Sequence, residues 1–202
     1  MTDSAHHYFE PDPVAASRPG TVRLDLPDRS LTLAVDRGVF SGDRVDPGTK
    51  YLLLEAPSPP STGTFVDLGC GYGPIACTLA ARAPDARVWA VDVNRRAVEL
   101  CRTNASALGL ANVTAVESAE VPDDLRVDLV WSNPPIRIGK PALQALLSSW
   151  LGRLTPGGQA LLVVQKHLGA DSLQRWLDQQ GWPTTRLGSR TGYRLLQVVR
   201  QS

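Results

Sequence analysis

One stretch, Asp67-Leu68-Gly69-Cys70-Gly71-Tyr72-Gly73-Pro74, constrains this chain more than any other. It follows the apolar Thr64-Phe65-Val66 and opens onto Ile75-Ala76-Cys77-Thr78-Leu79-Ala80, so it reads as strand, tight turn and helix. Glycines at alternate positions accept positive φ and let a ligand approach the main chain without meeting a Cβ. A dinucleotide-binding turn needs G-x-G-x-x-G; here Pro74 stands where the third glycine belongs, and Gly73 comes one residue early. Asp67 would repel a pyrophosphate and attract a cationic amine. The turn therefore predicts S-adenosylmethionine as ligand, with Asp67, Gly69, Cys70, Gly71 and Gly73 as its cradle. A turn with only a packing role is the alternative.

A length of 202 residues suits one core plus an extension. The formal net charge of +1 does not by itself point to a nucleic-acid or membrane partner. Cys70, Cys77 and Cys101 form no C-x-x-C pair, and predict reduced thiols without a zinc site or disulfide. The N-terminus lacks the basic-then-apolar layout of a signal peptide, and no stretch nears the ~20 apolar residues of a membrane span. A soluble, cytoplasmic protein with no membrane partner is expected.

Residues 1–20 are polar and proline-punctuated, and read either as a loose arm or, through Tyr8, as an aromatic arm that stacks on a base. Val22-Arg23-Leu24-Asp25-Leu26 and Leu31-Thr32-Leu33-Ala34-Val35 alternate apolar and polar around Pro27-Asp28-Arg29-Ser30, which predicts a β-hairpin. A short apolar helix, Tyr51 to Ala56, follows. The linker Pro57-Ser58-Pro59-Pro60-Ser61 then divides an extension, residues 1–60, from a core, residues 61–202. In the core the pattern predicts a helix to about Arg82, a strand Arg87–Asp92, a helix Arg95–Leu108 and a strand Asn112–Val116. It continues with a strand Arg126–Ser132, a helix Pro141–Leu154, a strand Gln159–Gln165, a helix Leu168–Gln180 and a strand Gly192–Arg200.

Asp92, followed by Val93, ends the second core strand about 20 residues beyond the glycine turn, the spacing of a carboxylate that accepts from ribose hydroxyls. Its alternative is an N-cap for the next helix, a role open to Asp92 or Asn94. Ser118 and Ala119, in the Glu117-Ser118-Ala119-Glu120 loop after the third core strand, are the expected neighbours of the adenine.

The fourth core strand delivers Asn133-Pro134-Pro135-Ile136 at its carboxyl end, where open α/β sheets place their chemistry. The two prolines remove backbone donors and fix the direction of Asn133. An amine on a base or an amide has its lone pair drawn into the π system, so it needs its N–H bonds held if that lone pair is to attack a methyl group. The Asn133 side-chain carbonyl and the Pro134 main-chain carbonyl supply two acceptors, and such positioning contributes several kcal/mol. No metal and no nucleophilic side chain is required. Arg137 and Lys140, with Lys166 and His167, form a candidate basic rim for phosphates, which Arg18, Arg23 and Arg29 extend if the hairpin folds over the site.

The same chain carries His7-Tyr8-Phe9, Gly38-Val39-Phe40-Ser41, Asp46-Pro47-Gly48-Thr49-Lys50, Ile138-Gly139-Lys140 and Leu154-Thr155-Pro156-Gly157-Gly158. Together with the glycine turn and Asn133-Pro134-Pro135, these make it resemble, over nearly its whole length, a class I S-adenosylmethionine-dependent methyltransferase of the small-domain type. That group contains the 16S ribosomal RNA guanine-N2 methyltransferases. The resemblance implies an α/β fold, a Rossmann-like seven-stranded mostly parallel sheet with helices on both faces, preceded by the small hairpin. It implies cofactor contacts at Asp67, Gly69 and Asp92, a target amine at Asn133 beside the cofactor, and Lys50 and Phe40 near cofactor or target. The family often has an aromatic residue after the two prolines; Ile136 stands here, so stacking on the target base falls to Phe40, Tyr8 or Trp131, or gives way to apolar contact. The implied activity is methyl transfer from S-adenosylmethionine to an exocyclic amine of RNA, guanine N2 of small-subunit ribosomal RNA first, on an unpaired or flipped base. RNA or the small ribosomal subunit is then the partner. Methylation of a glutamine side chain on a protein, or cofactor binding without catalysis, are the alternatives.

Overall fold

The computed structural model describes residues 18–36, 39 and 44–201. Tyr8 and Phe40, both expected at the target base, lie outside the described residues.

The alternating stretch near the N-terminus forms the expected hairpin, β1 (Gly20–Leu26) and β2 (Arg29–Val35), paired antiparallel with Leu26 opposite Arg29. Its period of two puts Val22, Leu24, Leu26, Leu31, Leu33 and Val35 on one buried face. A two-stranded hairpin is marginal alone; this one joins the hydrophobic cluster of the main sheet.

That sheet contains β3 (Thr64–Leu68), β4 (Arg87–Asp92), β5 (Val113–Glu117), β6 (Val127–Ser132), β7 (Leu154–Gln165), β8 (Thr184–Arg190) and β9 (Tyr193–Val199). Its order is β5-β4-β3-β6-β7-β9-β8, seven strands, parallel from β5 to β7 and antiparallel for the last two pairs. The helices are α1 (Pro47–Glu55), α2 (Pro74–Arg82), α3 (Arg95–Ala107), α4 (Lys140–Leu151) and α5 (Ala170–Gln179). Successive strand residues face opposite layers: Phe65, Leu161 and Val163 pack with the hairpin and α1, α2 and α3, whereas Val66, Leu162 and Val164 pack with α4 and α5. The chain enters the sheet at β3, winds outward to β4 and β5, then returns to β6 on the other side of β3. The order reverses between β3 and β6, and a crevice opens there at the carboxyl ends of the strands.

Three expectations change. The first helix begins at Pro47 rather than Tyr51, because Asp46 caps it by accepting from Thr49 N at 2.9 Å and Pro47 fits the first turn. The helix expected to reach Leu154 stops at Leu151, and Leu154 already pairs with Val127 as the start of β7. A strand the sequence pattern does not show, β8, occupies the sheet edge; its Thr184-Thr185-Arg186-Leu187-Gly188-Ser189-Arg190 is mostly exposed and pairs only with β9. No helix among the described residues is long and apolar enough to cross a membrane.

Candidate active site

A cleft of about 300 Å³ opens at the switch point. Gly69 and Gly71 from the turn after β3, Asp92 and Val93 after β4, Ser118 after β5, and Asn133 to Arg137 after β6 share its lining.

The turn takes the left-handed backbone its glycines permit, with φ of 75° at Gly69, 54° at Gly71 and 89° at Gly73. The three glycines serve two purposes. A Cβ at Gly69 or Gly71 would meet nothing closer than 3.9 Å, so these two leave room in front of the backbone. A Cβ at Gly73 would lie 2.6 Å from Cys101 Sγ, so that glycine lets α2 pack on α3 and sits behind the cleft. Gly69 N and Cys70 N donate to Val91 O at 2.8 and 3.0 Å, and Gly71 N donates to Asp92 Oδ2 at 2.9 Å. With these amides engaged by the end of β4, the turn offers none of them to a phosphate, unlike an anion-binding turn.

Asp67 is fully buried near the end of β3; its Oδ2 accepts from Ala76 N at 2.9 Å and, among the described residues, its Oδ1 has no partner. Burial pushes its carboxyl up to about 8, with the Ala76 N–H opposing and the Asp92 charge adding to the rise. A buried carboxyl without a counter-ion beneath an open turn fits a ligand with a cationic end and disfavours a pyrophosphate. Asp92 uses Oδ2 for Gly71 N and Oδ1 for Asn94 N at 3.0 Å, which ties the glycine turn to the β4–α3 connection. The carboxylate keeps acceptor capacity for a hydroxyl. Burial raises this carboxyl too, opposed by the N–H groups of Asn94, Gly71 and Val93. The cap of α3 is Asn94, which accepts from Ala97 N at 3.3 Å, so Asp92 is left to the cleft. Ser118 starts a single 3-10 turn, Ser118–Glu120, fixed by a reciprocal capping box between Glu117 and Glu120.

Across the cleft, β6 ends in the buried Ser132, whose Oγ donates to Leu68 O at 2.7 Å and holds the ends of β6 and β3 together. Asn133 follows. Its Nδ2 donates to Asp46 Oδ1 at 2.7 Å and to Thr49 Oγ1 at 3.1 Å, which occupies both amide hydrogens and leaves the amide oxygen as an acceptor. Pro134 O accepts from Ile136 N at 2.8 Å across an inverse γ-turn at Pro135, where φ is −74° and ψ is 74°. The carbonyl is thereby fixed in direction with its second lone pair free.

Sequence reasoning missed Asp46, Thr49, Gln165 and Tyr193. Asp46, Gln165 and Tyr193 line the cleft, and Gln165 Nε2 donates to Tyr193 Oη at 2.7 Å. Gly48 makes room for this arrangement, since a Cβ there would lie 2.5 Å from Tyr193 Cε1. The signal for Asp46 was present as an Asp-Pro pair ahead of an apolar helix; Gln165 and Tyr193 come together only through the antiparallel pairing of β7 and β9.

The remaining candidates are spread out. Lys50, Ala119 and Lys140 are exposed outside the cleft lining, and Cys70 is buried behind it. Cys70, Cys77 and Cys101 are free, buried thiols; contact with Cys101 first, and burial second, push the Cys70 thiol up, so it stays protonated and inert. Trp131 is wholly buried in the sheet core, which removes it as a stacking partner for a base. Ile136, Val93 and Leu168 give the cleft an apolar wall instead. Arg137 is exposed at the cleft, and Lys166 and His167 are exposed on a 3-10 turn after β7. Of the hairpin arginines, Arg23 pairs with Asp25 at 2.7 Å and Arg29 with Asp28 at 2.9 Å; neither lines the cleft.

Comparison with known proteins gives a consistent set of relatives. The family profile "Methyltransferase small domain" matches residues 30–197. "Uncharacterized protein YbxB" of Bacillus subtilis (strain 168) is 32% identical over 197 residues, covering 96% of this chain and 98% of the relative. "Ribosomal RNA small subunit methyltransferase C" of Klebsiella pneumoniae is 35% identical over 143 residues, covering 69% of this chain but 42% of that protein. Among solved structures, the T. thermophilus 16S rRNA N2 G1207 methyltransferase (RsmC), in complex with AdoMet and guanosine, superposes with a TM-score of 0.80 at 24% identity. That match covers 94% of this chain and 52% of the other. The chain thus spans about half the length, or less, of these two ribosomal RNA methyltransferases.

Proposed function

This chain belongs to the methyltransferase small-domain family and is an S-adenosylmethionine-dependent methyltransferase; on that premise, we propose that it methylates an exocyclic amine of ribosomal RNA, guanine N2 of the small subunit first. One observation carries the reading: Asn133 sits at the switch point with its amide nitrogen bound to Asp46 and Thr49 and its oxygen left to accept. When bound, S-adenosylmethionine would supply an electrophilic methyl group and leave as the neutral thioether.

The residues of the chain do the rest. Asn133 Oδ1 and Pro134 O each take one N–H of the target amine, which pyramidalises the nitrogen and releases its lone pair from the ring's π system toward the methyl group. Both acceptors bind more strongly as the nitrogen becomes cationic. The nitrogen then sheds its extra proton to solvent, because Asn133 is no base. Asp67 lies beneath the glycine turn, behind the cleft lining, and acts on the cationic end of the cofactor from there, while Asp92 meets its ribose and Ser118 its adenine. Val93, next to Asp92, packs beside the cofactor; Ile136 and Leu168 contact the target base, with Arg137, Lys166 and His167 toward its phosphates. The ribosomal RNA substrate is supported by the activities of the Klebsiella and T. thermophilus relatives, and a base in a helix must be flipped to reach the cleft.

The test uses wild type and Asn133→Ala with methyl-labelled S-adenosylmethionine, offered naked ribosomal RNA, small-subunit particles and a protein extract, followed by nucleoside analysis. N2-methylguanosine from wild type only is the expected result. Label in protease-sensitive material would replace RNA with a glutamine amide as substrate. Cofactor binding with no transfer to any acceptor would overturn the catalytic reading.

A further inference from the structure

We propose that Asp46 is the positioning residue that makes Asn133 an acceptor, by holding the nitrogen end of its amide away from the substrate; the inference rests on the role given to Asn133 above.

An asparagine amide has two ends of nearly the same shape and opposite hydrogen-bonding character. Pointed one way, it accepts from an amine; flipped, it presents its own N–H bonds to the amine's N–H bonds and holds nothing. The carboxylate of Asp46 only accepts, so the group 2.7 Å from its Oδ1 is the donor Nδ2, and the flipped amide would set oxygen against oxygen. Thr49 Oγ1 takes the second hydrogen at 3.1 Å, leaving Asn133 Nδ2 no further hydrogen to present. A bond from an amide to a carboxylate is charge-assisted. It also polarises the amide, so that Oδ1 carries more negative charge where the amine nitrogen turns positive.

Asp46 is placed for this by the fold. It is the N-cap of α1, and the same Oδ1 accepts from Thr49 N at 2.9 Å. The first turn of that helix lies against the Tyr193 ring at Gly48. Asp46 therefore couples the seating of α1 to the end of β6, across 87 residues of chain. A purely structural N-cap would need only the bond to Thr49 N.

Two substitutions separate cap from orientation. Asp46→Ser keeps a capping oxygen but is too short to reach Asn133. Asp46→Asn keeps an oxygen at the Oδ1 position and can still serve both donors. We expect Asp46→Ser to lower kcat about 10²-fold, the usual consequence of an ångström-scale misplacement, with the KM for S-adenosylmethionine and the thermal midpoint close to wild type. Asp46→Asn should recover most of that loss. Independently of turnover, the Asn133 side-chain amide resonances in ¹H–¹⁵N spectra should be shifted and slowly exchanging in wild type and in Asp46→Asn, and not in Asp46→Ser. An unchanged kcat in Asp46→Ser, or equal losses in Ser and Asn variants, or Asn133 resonances indifferent to position 46, would each overturn the proposal. Failure of wild type to methylate any acceptor would instead strike at the proposed reaction, and the spectra would still decide whether Asp46 orients Asn133.

Discussion

The two sides of the cleft are built by different means. The side formed by the glycine turn and the end of β4 is drawn from one short run of chain, and backbone amides hold it: Gly69, Cys70, Gly71 and Asn94 all donate to Val91 or Asp92. The opposite side is assembled from side chains that lie far apart in sequence, Asp46 with Asn133 across 87 residues and Gln165 with Tyr193 across 28. A backbone-built cradle tolerates side-chain change and fails as a unit, when a glycine or its carboxylate clamp is lost. A side-chain-built clamp fails one contact at a time and can leave the fold intact. The first side should govern cofactor affinity, and the second should govern turnover.

That contrast breaks most readily at Asn133. Asn133→Ala should lower kcat by about 10²–10³-fold, the range for removing one acceptor or donor aimed at developing charge, while calorimetry finds the affinity for S-adenosylmethionine unchanged. A matching loss of affinity would mean the two sides are not separable.

Next in size is Gly73→Ala, which places a Cβ 2.6 Å from Cys101 Sγ at a φ of 89°. Overpacking and left-handed strain together should cost about 2–4 kcal/mol in urea unfolding. Gly71→Ala, with nothing closer than 3.9 Å, should cost only about 1–2 kcal/mol of stability, from the backbone alone. It should nevertheless impair cofactor binding, because the added Cβ faces the cleft.

Asp92→Ala should weaken S-adenosylmethionine by about 1.5–3 kcal/mol, the range for lost hydrogen bonds to a charged group. Unchanged affinity by calorimetry would reject the ribose role.

A pH series sharpens the picture of the cofactor side. Burial raises Asp67 from 3.8 to about 8, so the cofactor-free folded chain keeps a proton that the unfolded chain releases. The stability from this group is present below about pH 4 and declines as pH rises toward 8. Asp92, also raised by burial, acts in the same direction. Asp67→Asn should flatten the fall in thermal midpoint over that window, and an unchanged slope would mean that Asp67 is ionised in the folded chain.

The smallest effect is expected far from the cleft. Arg82 binds both oxygens of Asp28 in the hairpin turn at 3.0 Å, and this contact, ahead of Arg29, holds the Asp28 carboxyl well below its usual range. The pair is partly exposed, so Arg82→Ala should cost at most about 1 kcal/mol. A larger loss would mean that charge, rather than the apolar face of β1 and β2, docks the hairpin. Asn104 adds a second, buried polar anchor for the hairpin, independent of that ion pair, by accepting from Ala34 N at 2.7 Å and donating to Ala34 O at 2.9 Å.

Much of this architecture was legible because its determinants are local. The hairpin follows from alternation, the turn after β3 from its glycines, and Asp92 from its distance along the chain to that turn. What escaped the sequence had a distant cause. β8 is a polar strand that pairs, among the described residues, with β9 alone, and it shows no apolar alternation to read. Gly73 belongs with Gly69 and Gly71 by spacing and parts from them only because α3 brings Cys101 against it. Lys50 stands out in its motif by charge, yet it is Asp46, at the other end of that motif, that faces the cleft.

By itself the sequence determined the strand–turn–helix with its glycines, the carboxylate of Asp92 at the end of the next strand, and the strand that delivers Asn133. Only the tertiary structure decided which end of the Asn133 amide is left free to accept. The physical reason is that an amide is nearly symmetric in shape, and the carboxylate that distinguishes its two ends lies 87 residues away until folding brings it within 2.7 Å.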